Sequence, residues 1–170
     1  MTSPQDNVRL LARILLKKVG IHTPPVDVLR ITDYLGAEVV FSDEFPDGIF
    51  GCLLPLKNGK FIIAINVYSS DTRKIFTIAY EIGHICLKHY EALEKLYSEK
   101  EKIALDVSQI ETCKAIMERY ANVFASELLM PKHMVLPHYY KTNGDVDKLA
   151  EIFMVSKEAM EIRLKELNLK

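Results

Sequence analysis

With 170 residues, 49% of them hydrophobic and 26% charged, the chain has the material for one compact domain with its own core. Its 22 basic and 23 acidic side chains leave a net charge of −1, which supplies no bulk attraction for nucleic acid or an anionic membrane. Cys52, Cys86 and Cys113 are widely spaced, odd in number and form no C-x-x-C pair, which excludes a disulfide framework and suits a reducing cytosol.

The polar N-terminus has no signal-peptide core, and no apolar run reaches membrane length. The expectation is therefore a cytoplasmic chain with no membrane span.

Residues 5–19 carry Val8, Leu11, Leu15 and Val19 at helical spacing, with Gly20 as a stop. Pro24-Pro25 leads into a second short helix that ends near Gly36. Residues 37–41 read as a strand. Residues 49–56 and 60–66 read as two more, joined by Lys57-Asn58-Gly59, a hairpin signal. A small, mostly antiparallel three-stranded sheet is expected.

Asp71 is a candidate cap for a helix running to about Tyr90. Residues 91–107 are charge-dense and read as a solvated helix or a mobile insert. Ser108 and Glu111 fit a capping box for a long helix that ends before Pro131. A turn or two is expected over 132–140. Beyond Asn143-Gly144, residues 146–153 and 156–167 read as two short helices.

The chemistry concentrates in Tyr80-Glu81-Ile82-Gly83-His84. The pattern H-E-x-x-H places two histidines on one helix face, where they bind zinc, with the glutamate as general base. Here Glu81 and His84 are in place and Tyr80 stands where the first histidine belongs. A catalytic zinc needs three protein ligands and an open position for water, whose pKa the metal lowers. Gly83 removes a side chain beside His84, at about 1 kcal/mol of helix propensity against Ala. Glu118 and Asn122, four apart on the next long helix, supply a candidate third ligand and a polar group to orient it. The bland alternative is an amphipathic helix with an incidental E-x-x-H and a solvent-facing glutamate.

Ala121-Asn122-Val123-Phe124-Ala125-Ser126-Glu127-Leu128-Leu129-Met130-Pro131 is close to the A-N-x-F-A-x-E-L-L-M-P signature of the ImmA/IrrE zinc metallopeptidases. Arg73 to His84 resembles that family's active helix, and residues 61–66 its preceding strand. Pro24 to Val28, followed by Leu35 to Val39, resembles its N-terminal part, so the resemblance covers most of the chain.

It implies an α+β, gluzincin-like fold with an active-site helix, a second metal-ligand helix and a C-terminal helical extension. It also implies zinc, a cytosolic metallo-endopeptidase, and action on a cognate transcriptional repressor in mobile-element or stress regulation. The family's second histidine falls on His84, its general base on Glu81 and its ligand glutamate on Glu118. Asn122 becomes an outer partner. The missing first histidine falls on Tyr80, a doubtful ligand. Residues 1–142 form the expected peptidase-like domain, with 143–170 as a two-helix extension packed on it.

Tyr80 leaves three readings. Zinc is lost or much weakened, since a phenol with pKa near 10 replaces an imidazole. Alternatively the phenolate ligates, or another side chain substitutes. His89 and Cys86 are expected on other faces of the helix, and His133 and His138 follow Pro131. Finally, Tyr80 is a substitution in an otherwise active enzyme. Loss of zinc leaves an impaired endopeptidase or a non-catalytic protein-binding regulator using the same cleft. A third function, DNA binding through a helix-turn-helix over 145–167, meets a net charge of −1 across 145–170.

Overall fold

In the computed structural model, residues 3–95 and 107–170 are described. Helix α1 (Pro4–Val19) opens on a reciprocal capping box. Ser3 Oγ accepts from the Asp6 amide, and the Asp6 carboxylate accepts from the Ser3 amide at 3.0 Å. Gly20, at φ 75°, ends it. Helix α2 (Val28–Leu35) is capped by Asp27 and closed by Gly36.

Strands β1 (Ala37–Ser42), β2 (Gly51–Pro55) and β3 (Phe61–Asn66) pair in the order β1-β3-β2. The hairpin joins β2 and β3 in antiparallel pairing, as the Asn-Gly turn requires. β1 takes the other edge of β3 in parallel, Ala37 opposite Phe61, so the sheet is mixed rather than mostly antiparallel. A turn signal fixes the direction of the strands it joins and says nothing about a third strand arriving from elsewhere. β3, with Ile63 and Ile65 fully buried, is central because it is the most apolar of the three.

Helix α3 (Asp71–Cys86) is capped by Ser70, one residue before the expected Asp71, which sits in the first turn. It stops at Leu87 rather than near Tyr90. Lys88 takes a left-handed conformation (φ 57°), and residues 89–95 are helical again. The rest of the expected charged insert lies outside the described residues.

Helix α4 (Val107–Leu129) already contains Ser108, whose carbonyl accepts from Thr112 Oγ1 at 2.9 Å, while Glu111 pairs with Lys114. The expected capping box is thus part of the helix body. Helix α5 (Lys132–Lys141) is longer than a turn or two and accommodates Pro137. Helices α6 (Val146–Phe153) and α7 (Lys157–Glu166) are capped by Asp145 and Ser156, with Met154 left-handed between them.

One apolar core joins α1, β3, α3, α4 and the C-terminal helices, through Leu16, Ile65, Ile82, Phe124, Phe153 and Leu164 among others. Inside it lies an ion-paired cluster. Arg163 on α7, 1% exposed, bonds the Glu127 carboxylate through Nη2 and the Met130 carbonyl through Nε at 2.9 Å. Its Nη1 reaches Glu166 at 2.9 Å, and Arg13 approaches Glu127 to 3.6 Å. A buried guanidinium is tolerable because its fork is satisfied on several sides. Among the described residues no helix is long and apolar enough to cross a membrane.

Candidate metal centre and adjoining groove

The residues of α3 that share a face are set by its helical period. Ile78, Ala79 and Ile82 are buried in the core, and Tyr80 and His84, one turn apart, share the face toward α4. Gly83 permits that approach. A Cβ there would lie 3.2 Å from the Ala121 carbonyl oxygen and 3.3 Å from Phe124 Cβ. With the backbones this close, His84 Nε2 comes within 3.7 Å of Glu118 Oε1. The two helices thus bring together two of the residues singled out in the sequence.

Tyr80 packs its ring edge-on to His84, centroids 4.8 Å apart. Asn122 donates from Nδ2 to the main-chain carbonyl of Glu118 at 3.0 Å. It therefore braces the helix backbone and is not bonded to the Glu118 carboxylate, as an outer partner of that ligand would be.

His89 does not point away, contrary to expectation. Because α3 stops at Cys86 and the chain reverses through Lys88, His89 folds back until its Nδ1 is 3.1 Å from His84 Nδ1. One ring donates and the other accepts, which leaves His84 Nε2 turned toward Glu118. Five-residue spacing on a continuous helix would have separated them. The signal that could have found the contact was the helix stop, and Leu87-Lys88 carries no Gly or Pro to mark it.

Burial governs the electrostatics. Glu81 is 7% exposed, and desolvation pushes its carboxyl up to about 7. Burial, with the neighbouring His89 adding, pulls His84 down to about 4; burial also lowers His89. Glu118 is raised by burial as well. A glutamate that titrates near neutrality can take and return a proton at working pH.

Do these residues fit a catalytic zinc? His84 and Glu118 are two donors of suitable type, and Tyr80 offers a neutral phenol. Among the described residues no group of three or more His, Cys, Asp or Glu is placed to hold a metal. His89 meets Nδ1 of His84, away from the nitrogen facing Glu118. Burial pushes the Cys86 thiol up to about 12, far from the thiolate a metal takes. His138 is engaged by the Met134 carbonyl at 2.8 Å and by the Phe153 ring. The donor set falls one ligand short of the three that catalytic zinc uses.

Toward the N-terminus of α3, past Tyr80, the α3–α4 interface opens into a groove of about 500 Å3 with α7 as its far wall. Phe76, Val123 and Met130 give it apolar lining; Asn122 and Ser126 add polar groups.

The fold is similar to that of a Mycobacterium tuberculosis transcriptional regulator, with a TM-score of 0.67 at 18% identity. That match covers 94% of this chain and 46% of the other, so the chain spans about half the length of that structure. Comparison with curated proteins gives no match. The family described as IrrE N-terminal-like domain, a peptidase family, matches residues 33–165, which contain both helices of the candidate centre. The chain belongs to this IrrE N-terminal-like domain family.

Proposed function

We propose that this chain engages a repressor-like protein in the α3–α4 cleft and that Tyr80 impairs the zinc-dependent endopeptidase chemistry typical of its family. The observation that carries this reading is the side-chain set at the centre. His84 and Glu118 stand 3.7 Å apart, Glu81 is buried on the same helix as His84, and the Tyr80 phenol ring lies edge-on to His84. In this assignment His84 and Glu118 are the retained metal ligands, Glu81 is the general base, and Tyr80 is the lesion. Zinc bound with a restored third ligand would acidify a water for attack on a peptide carbonyl. Glu81 would receive that water's proton.

The regulatory partner is supported by family membership and by the regulator-like fold of the mycobacterial structure. Residues 1–142 act as the peptidase-like part and 143–170 as an extension held to it by Arg163. The unpaired Cys52, Cys86 and Cys113 support a cytoplasmic setting. A DNA-binding role for α6 and α7 is disfavoured because Arg163 is buried and committed to Glu127, Glu166 and Met130.

Zinc analysis of the purified chain and of Tyr80→His tests the reading. The unaltered chain should carry zinc well below stoichiometry, and Tyr80→His should approach one zinc per chain and gain proteolytic activity. Stoichiometric zinc on the unaltered chain, lost in Glu118→Ala, would mean a working centre through Tyr80. A Tyr80→His chain that gains no zinc would sink the site assignment.

A further inference from the structure

The groove beside the centre carries a charge pattern that the metal chemistry leaves unused. α3 and α4 run antiparallel along it. His84 faces Glu118 and Gly83 faces Ala121, while Arg73 and Phe76 share the groove with Ser126 and Met130. Arg119 therefore stands at the end next to the candidate centre and Arg73 at the far end.

Both guanidiniums lie against aromatic rings, Arg73 at 4.6 Å from the Phe50 centroid and Arg119 at 5.6 Å from that of Tyr120. A ring beneath a guanidinium holds its plane and leaves in-plane N–H donors available. Among the described residues neither has a carboxylate within ion-pair distance, whereas Arg9, Arg13 and Arg163 each do. On the α7 wall, Glu166 is already held by Arg163 at 2.9 Å. Glu158, in the first turn of α7, is the other lining carboxylate. The charges that α3 and α4 bring to the groove lining are those of Arg73 and Arg119, set over an apolar lining and faced by one carboxylate, Glu158, that has no ion-pair partner among the described residues.

We propose that this groove binds an extended acidic, apolar segment of the protein partner. Leucine-like side chains rest on Phe76, Val123 and Met130, and carboxylates meet Arg73 and Arg119. The inference rests on the reading that the cleft engages a protein. From Arg73 to His84 the helix rises about 16 Å, the reach of roughly five extended residues. Carboxylates suit planar guanidinium forks because two parallel hydrogen bonds form at once.

Fluorescence anisotropy on the full chain tests this with two fluorescein-labelled, end-capped hexapeptides, one alternating Leu and Glu, the other Leu and Lys. The Leu/Glu peptide should bind, more weakly as salt rises, and the Leu/Lys peptide should not. Arg73→Glu with Arg119→Glu should weaken the Leu/Glu peptide at least about tenfold and admit the Leu/Lys peptide. Ile162→Asp, at a position 52% exposed on the α7 wall, should also weaken the Leu/Glu peptide without unfolding the chain. Equal binding of both peptides, or Leu/Glu binding untouched by charge reversal, overturns the proposal. If peptide selectivity is absent while Tyr80→His takes up zinc, the groove assignment falls and the reading of the centre stands. If selectivity holds while Tyr80→His takes up none, the groove stands and the centre falls.

Discussion

Nδ1 of His89 lies 3.1 Å from Nδ1 of His84, so the group that fixes the candidate ligand comes from beyond the end of its own helix. An outer partner of this kind sets ring orientation and tautomer. In the Tyr80→His background, His89→Phe should retain the fold and lower zinc affinity by about 10–100-fold. Competition with a chromophoric chelator measures it. An unchanged affinity would reduce the His84–His89 contact to simple packing.

Stability against pH should be flatter than either buried group alone would make it. Glu81 is raised from 4.5 to about 7, so it favours the fold below 4.5 and loses that contribution as pH rises through 7. His84 is lowered from 6.5 to about 4, so it favours the fold above 6.5 and loses that contribution as pH falls toward 4. Between about 4.5 and 6.5 the two slopes oppose each other and nearly cancel. Glu81→Gln should expose the histidine slope, with stability rising by up to ~3 kcal/mol from pH 4 to 6.5. Urea midpoints across that range decide it, and a Gln variant as flat as the parent would contradict it.

Arg163→Met should cost about 3–5 kcal/mol, because it leaves the Glu127 carboxylate buried with only the 3.6 Å approach of Arg13. Adding Glu127→Leu to that variant should restore part of the loss, since removing both charges leaves no unpaired one. Chemical denaturation of the single and double variants reads both effects. A double variant less stable than Arg163→Met would argue against the ion pair as the source of the loss.

Gly83→Val should push α3 from α4, destabilising by about 1–3 kcal/mol, as inserted bulk does in packed interiors. Even the first carbon would meet the Ala121 carbonyl at 3.2 Å. In the Tyr80→His background the same change should lower zinc affinity through a wider His84–Glu118 separation. Zinc uptake that survives Gly83→Val unaltered would show that the close crossing does not position the ligands.

What could be read in the chain was local or carried by motif. The periodicity of α3 and α4 and the spacing of Glu81, His84 and Glu118 pointed to a candidate site on two helices, and His84 and Glu118 do meet. The Asn58-Gly59 turn set the β2–β3 hairpin. The direction of β1 was hidden because its partner in pairing is 24 residues away in register, Ala37 to Phe61, and the one clear turn signal between them belongs to the β2–β3 hairpin. His89 was hidden because the helix stop at Leu87 and Lys88 rests on residues with no breaker chemistry. The burial of Arg163 was hidden, since nothing near it in sequence shows that Glu127, 36 positions earlier, waits in the core.

The anchorage of α7 by Arg163 has a consequence for recognition. The wall of the groove is ordered when the protein folds, so docking demands little further loss of freedom from the receptor side. The conformational entropy of association then falls mainly on the incoming segment. A partner strand already held straight, by flanking structure or a proline, should bind more tightly than the same residues in a flexible tail. Selection by such a groove would favour shape as much as sequence.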